Sequence, residues 1–170
     1  RELADLADAL RWTPAGNVHL TLHFLGEVEE PRVGPLCEAL GSQLVCAPFH
    51  TAVGALGTFP VGRPPTTLWV SLEAGRESLG KIHRELGSRL WAAGLRVETR
   101  PFSPHLTLGR VRDRARHRVR RVNERLVRVR VPAIGWTVDR ITLFRSHLSD
   151  SVPRYDAVHR ILLEPEGHRV

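Results

Sequence analysis

The chain predicts an α+β fold with mainly antiparallel pairing, and three observations carry this. Short extended segments alternate with amphipathic helical ones along all 170 residues. Their connections are irregular and often short, unlike the regular crossovers of a doubly wound parallel sheet. The tetrapeptide His-Leu-Thr-Leu occurs twice, at His19 and again at His105, both times in a segment of strand character, which points to an internal duplication.

Taken in order, Leu3, Leu6, Ala7 and Leu10 recur at i, i+3, i+4 and i+7 and predict a short helix. Pro14 and Gly16 break it. Residues 18–25 predict a strand ended by Gly26. Pro31 suits the first turn of a helix, where its missing N–H costs nothing, and Val33, Leu36, Cys37, Leu40 and Leu44 form the inner stripe. Residues 49–59 read as extended, and 60–65 as a loop rich in proline. Residues 66–72 are a strand by their β-branched and aromatic content. Leu79, Ile82, Leu86 and Leu90 mark a third helix that Gly94 stops. A short strand over 96–99 and a constrained loop over 101–104 lead into a strand over 105–111. Asp113 caps a helix facing inward through Val119, Val122 and Leu126. Strands over 127–131, 136–144 and 155–163 complete the chain.

A mass of 19.1 kDa fits one domain, and 42% hydrophobic with 25% charged residues is globular composition. No apolar run approaches the roughly 18 residues of a membrane-spanning helix. The first residues, with Arg1, Glu2 and Asp5, do not resemble a signal peptide, so a cytoplasmic protein without membrane contact is expected. The absence of Met implies that some N-terminal sequence is missing. Cys37 and Cys46 make neither a disulfide framework nor a C-x-x-C pair; free thiols are expected, with Cys37 a small core residue. The net charge of +7 is concentrated. Between Arg110 and Arg130 stand ten arginines against Asp113 and Glu124, and the rest of the chain is close to neutral. Such a segment attracts polyanions. A non-catalytic RNA-binding module using it is therefore the alternative function, and a solvated helix face without a partner is the structural alternative.

The repeated tetrapeptide carries the chemistry. On a strand, residues two apart share a face, so His and Thr point together and the leucines point to the core. Two imidazoles, each able to be neutral or protonated near pH 7, can act as general base and general acid on a phosphorus centre. The hydroxyls of Thr21 and Thr107 can donate to non-bridging phosphate oxygens. This design needs no metal and no cofactor. Spacing alone does not say which histidine is the acid. Five residues after each His the copies diverge, to Phe24 and Arg110. Phe24 offers a ring for base stacking or packs in the core; Arg110 holds phosphate or simply opens the basic run. His23 shares the strand face of His19 and Thr21, but His19 and His23 on a strand lack the helical face of a zinc site. No glycine-rich phosphate loop is present.

These residues resemble the 2H phosphoesterase superfamily, and most closely the RNA 2′,3′-cyclic phosphodiesterase family, also called 2′-5′ RNA ligase. The first motif, His-x-Thr-x-x-Phe, is matched by His19, Thr21 and Phe24. The second, with a following Arg, is matched by His105, Thr107 and Arg110. Weaker likenesses run through Gly57-Thr58-Phe59-Pro60, Leu68-Trp69, Leu143-Phe144-Arg145-Ser146 and Tyr155. The resemblance implies a single domain over residues 1–170, with two pseudo-symmetric lobes, each a small antiparallel sheet flanked by helices, around a central cleft. It implies hydrolysis of terminal 2′,3′-cyclic phosphate on RNA to a 2′-phosphate, and in relatives 2′-5′ joining of RNA ends without ATP. His19 would be the proton donor and His105 the proton acceptor. Its partners would be RNA ends or nucleotides with a 2′,3′-cyclic phosphate, met as a monomer. Such families begin with a further hydrophobic strand that this sequence lacks.

Overall fold

A computed structural model describes residues 8–60, 63–98, 100–112, 126, 129–147 and 153–165. The chain divides into two compact units. Arg1–Thr21, Ala52–Ala74 and Pro104–Gly135 form the first; Leu22–Thr51, Gly75–Ser103 and Trp136–Val170 form the second.

The first unit is built on a sheet in the order β1 (Leu10–Trp12), β5 (His105–Val111), β4 (Thr67–Leu72) and β3 (Phe49–Phe59), with every pair among these antiparallel. The alternation in Thr-Leu-Trp-Val-Ser-Leu sets β4: Leu68, Val70 and Leu72 are buried, while Thr67, Trp69 and Ser71 lie on the other face. Leu68 packs with Ala9, Leu10, Val111 and Leu126, and with Leu56 and Leu108 at the margin. Strand β1 stands where the end of a helix was expected. Leu10 lies opposite Val111 and Trp12 opposite Gly109, so the β5 edge takes up these backbone groups. The rest of that expected helix, residues 3–7, lies outside the described residues, as do Val119, Val122 and the basic residues 113–125 and Arg128. Leu126, expected on an inner helical face, is helical and buried.

In the second unit, α1 (Glu30–Leu40) and α2 (Arg76–Ala92) pack with a three-stranded sheet in the order β2 (Gln43–Val45), β8 (Arg154–Glu164), β7 (Arg140–His147). Pro31 opens α1 as its sequence position predicts, and Gly41 ends it at φ 69°. All four stripe residues of α2, Leu79, Ile82, Leu86 and Leu90, are buried, and the last three pack with Leu36, Leu40, Leu44, Ile161 and Leu163. Gly94, at φ 75°, follows the helix where the sequence put its stop. Cys37 is only half-buried, and both thiols are free. β7 and β8 are antiparallel, but β2 and β8 are parallel, an exception to the expected pairing. The expected strand over 136–144 is two strands, β6 (Gly135–Val138) and β7, parted at Asp139, whose carboxylate takes two hydrogen bonds from Arg140 (2.9 and 3.0 Å). Residues 96–98 form no strand; Val97 gives its side chain to the core without a ladder partner. Residues 129–131 form none either. No described helix is long and apolar enough to cross a membrane.

Candidate active site

Both His-x-Thr motifs belong to the first unit. The second lies on β5, as its sequence predicts. The first is not in a strand: residues 18–25 make one antiparallel bridge, Leu20 to Leu106, and the chain bends at Leu22. The physical reason is a change of core, because Leu22 and Leu25 pack among the apolar residues of the second unit. One bridge is enough to fix a register. Extended one residue each way, it sets His19 opposite Thr107 and Thr21 opposite His105. Directly opposed side chains then stand about 4.5–5.5 Å apart at Cβ, and the diagonal His19–His105 pair about 7–8 Å or a little less. An antiparallel pair has a local twofold axis, and here it relates the two identical tetrapeptides. The two motifs therefore lie side by side within the first unit. Leu106 turns to the core beside Val70, while His19 and Thr21 are exposed and His105 and Thr107 half-buried.

Arg110 shares this face for a reason invisible in the sequence. It lies five residues after His105, and an odd offset on a regular strand would send it to the opposite side. The β4–β5 ladder contains a bulge: Leu68 pairs with Gly109 but Trp69 with Thr107, leaving Leu108 without a counterpart. Thr67 then lies opposite Arg110, on the same side as Trp69, Thr107 and His105. The guanidinium is exposed there.

Behind His105 stands an aromatic wall of Phe59 and Trp69, residues whose part in the site the His-x-Thr motifs did not mark. Phe59 meets the His105 ring edge to face at 5.1 Å between centroids, Trp69 lies 6.0 Å away, and Phe59 stacks on Trp69 at 4.9 Å. The alternation Thr67, Trp69, Ser71 was the signal that could have placed Trp69 here. Gly57, opposite Trp69, leaves room for the indole: a Cβ there would lie 2.8 Å from Cε2 and closer still to the outer ring atoms. The Trp69 Nε1–H is buried without a partner among the described residues.

His19 Nδ1 donates to the Asn17 carbonyl at 2.7 Å. A nitrogen that donates to a carbonyl carries a proton, which makes Nδ1 the protonated nitrogen of this tautomer and Nε2 the second ring nitrogen. One face of this unit thus carries two imidazoles, two hydroxyls and one guanidinium.

Two expected members, Phe24 and His23, belong to the second unit. Phe24 is 76% exposed, which excludes core packing for it. His23 does not continue the His19 face. Its ring stacks on His83 (4.1 Å), its Nε2 donates to the His83 carbonyl (2.8 Å), and His83 stacks in turn on Phe102 (4.3 Å). Gly87 leaves space beside that ring. Burial, then the neighbouring His23 and Arg84, push the His83 pKa down. Among the described residues no group of three His, Cys, Asp or Glu side chains is placed to hold a metal.

A family model described as the 2′-5′ RNA ligase superfamily matches residues 3–150. The chain is similar to the RNA 2′,3′-cyclic phosphodiesterase of Geobacillus stearothermophilus, 28% identical over 159 residues that are 92% of this chain and 49% of that protein. It is similar to the protein of the same name from Thermotoga maritima, 30% identical over 154 residues, 90% of this chain and 79% of that one. The chain thus spans about half the length of the first relative and most of the second. Among solved structures it resembles E. coli LigT complexed with 3′-AMP, with a TM-score of 0.68 and 25% identity over 91% of this chain and 82% of that one.

Proposed function

Since this chain belongs to the 2′-5′ RNA ligase superfamily, we propose that it hydrolyses a terminal 2′,3′-cyclic phosphate on RNA to a 2′-phosphate. The observation that supports this most is the Leu20–Leu106 bridge, whose register gathers both His-x-Thr pairs on one face. In this reading His105 takes a proton from water as its oxygen attacks phosphorus. The P–O3′ bond breaks, and His19 Nε2 protonates the departing 3′ oxygen. Each transfer is worth about 10²–10⁴-fold. Thr21 and Thr107 donate to the non-bridging oxygens as charge grows there, and Arg110 holds the same oxygens with a planar cation. Phe24, exposed on the second unit, serves as a base-stacking ring. The chemistry proceeds by proton transfer and hydrogen bonding, without metal or cofactor, and the same attack by an RNA 5′-hydroxyl in place of water, again breaking the P–O3′ bond, gives 2′-5′ ligation. We place this activity in the cytoplasm, a reducing compartment that suits the free Cys37 and Cys46 thiols, and assign it to a monomer.

The test is turnover of a 2′,3′-cyclic nucleotide in excess chelator. Full activity, lowered at least about 100-fold in both His19→Ala and His105→Ala, is expected. Loss of activity to the chelator, or a single-histidine variant that retains it, would overturn the mechanism. Release of a 3′-phosphate in place of a 2′-phosphate would reverse the bond assignment.

A further inference from the structure

The second unit has one sheet face that its helices do not cover. Ile141, Leu143, Ile161 and Leu163 turn toward α1 and α2. Alternation turns Arg140, Thr142, Arg160 and Leu162 the other way. A bulge between Leu143 and Phe144 carries the pattern on, so that Phe144 pairs with Ala157 and Ser146 with Tyr155 on this outer face. The opposite side of the same strands confirms the alternation: Arg145 reaches Glu30 of α1, and Asp156 pairs with His147. Phe144 and Leu162 are each 48% exposed. The Phe144 and Tyr155 rings meet edge to face at 6.2 Å.

Charge on this face is sorted. Asp156, which lies between Tyr155 and Ala157 in sequence, points to the helix side and is occupied by His147 and Arg154. Glu164 sits toward the β2 edge, where the Gln43 amide donates to it. Arg160 lies opposite Thr142, two residues before Phe144 on β7, and pairs with no acid among the described residues. The outer face therefore sets a half-exposed aromatic pair next to an uncompensated guanidinium.

We infer that this face, centred on Phe144, Tyr155 and Arg160, is a docking platform for the unpaired bases and backbone of single-stranded RNA. The inference rests on RNA being the substrate, and extends that reading from the reacting end to the body of the strand. An open sheet backed by two helices, with exposed aromatics for bases and a cation for phosphate, is a physical solution to single-strand binding. An uncharged apolar partner would leave Arg160 to be desolvated beside the rings without a counter-charge, whereas a phosphodiester backbone supplies one next to bases that stack on them.

The experiment is anisotropy of a labelled single-stranded oligoribonucleotide ending in a 3′-hydroxyl, so that no cyclic phosphate is involved. Phe144→Ala should weaken binding by about 5- to 100-fold, the loss of one stacked base. Phe144→Trp should restore it. Arg160→Gln should reduce the slope of log affinity against log salt by about one phosphate contact. A duplex of equal length should compete poorly. Folding of each variant is checked by thermal melting. Wild-type affinity in both Phe144→Ala and Arg160→Gln, or equal binding of the duplex, overturns the platform and leaves the basic segment as the RNA contact. A concentration-dependent dimer abolished by Phe144→Ala also overturns it, by showing that a second copy covers the face. The two readings fail separately: binding that depends on Phe144 without turnover of any cyclic phosphate removes the proposed hydrolysis alone.

Discussion

Replacing Gly57 by alanine should damage the candidate active site from behind. Gly57 is not among the residues with positive φ, so any side chain suits its backbone and the effect is purely steric. The added Cβ would stand 2.8 Å from Trp69 Cε2, 2.5 Å from Cη2 and closer still to Cζ2, where ordinary contact is 3.4–4 Å. The indole must move by at least about 0.9 Å to bring Cη2 to that contact range. It cannot retreat freely, because Phe59 is stacked on it at 4.9 Å and His105 lies 6.0 Å away. Overpacking of this kind costs about 1–3 kcal/mol. For a chain of this length that lowers the melting temperature by roughly 2–12 °C. A general base displaced by about 1 Å can lose about 100-fold in rate. Melting by circular dichroism and turnover of a 2′,3′-cyclic nucleotide read the two effects, and a Trp69→Leu change in the same chain should relieve much of the stability loss. A Gly57→Ala variant that melts and turns over like the wild type would refute the claim that Trp69 supports His105.

Other expectations follow from the same geometry. Arg110→Gln should lower kcat/KM by about 10- to 150-fold, the worth of hydrogen bonds to a charged group, and Arg110→Lys should recover only part of it; equal activity in all three proteins would remove Arg110 from the site. Leu86→Ala empties a buried position of α2 and should cost about 2–5 kcal/mol by urea titration, whereas a loss below 1 kcal/mol would contradict its place in the core. Because the folded His83 pKa is depressed, the folded state binds fewer protons than the unfolded chain. Stability should therefore fall as pH drops below about 6.5 and on through the lower folded value, with a slope of at most about 1.4 kcal/mol per pH unit from this one group. His83→Phe keeps a ring in the stack and should flatten that acid limb; an unchanged slope would assign it to other groups.

What the sequence made legible was local or periodic. The α2 stripe, the strand character of β4 and the Gly94 stop depend on neighbours within a few residues, and each is found where expected. The twin tetrapeptide announced two imidazoles of one kind. That they are joined through Leu20 and Leu106 depends on two segments 86 positions apart, which no propensity reports. The same limit hid β1, three residues whose extended form comes from pairing with the β5 edge, outweighing the helical spacing of Leu3 to Leu10. For Phe24, read as a base-stacking ring with core packing as the alternative, exposure removes the alternative, because hydrophobicity says nothing of which unit receives a chain after it bends. Trp69 and Phe59 were legible as aromatic residues on strands, but their place behind His105 needs the β3–β4–β5 register.

The unpaired residue at Leu108 ties two requirements together. Beyond it, Arg110 turns outward and Val111 turns into the apolar cluster with Leu10 and Leu68. A deletion of that one leucine would exchange the two, driving a guanidinium inward and a valine outward in a single stroke. The anion-facing cation and the hydrophobic interior thus answer to the same count of residues, and neither can be re-phased while the other stays in place.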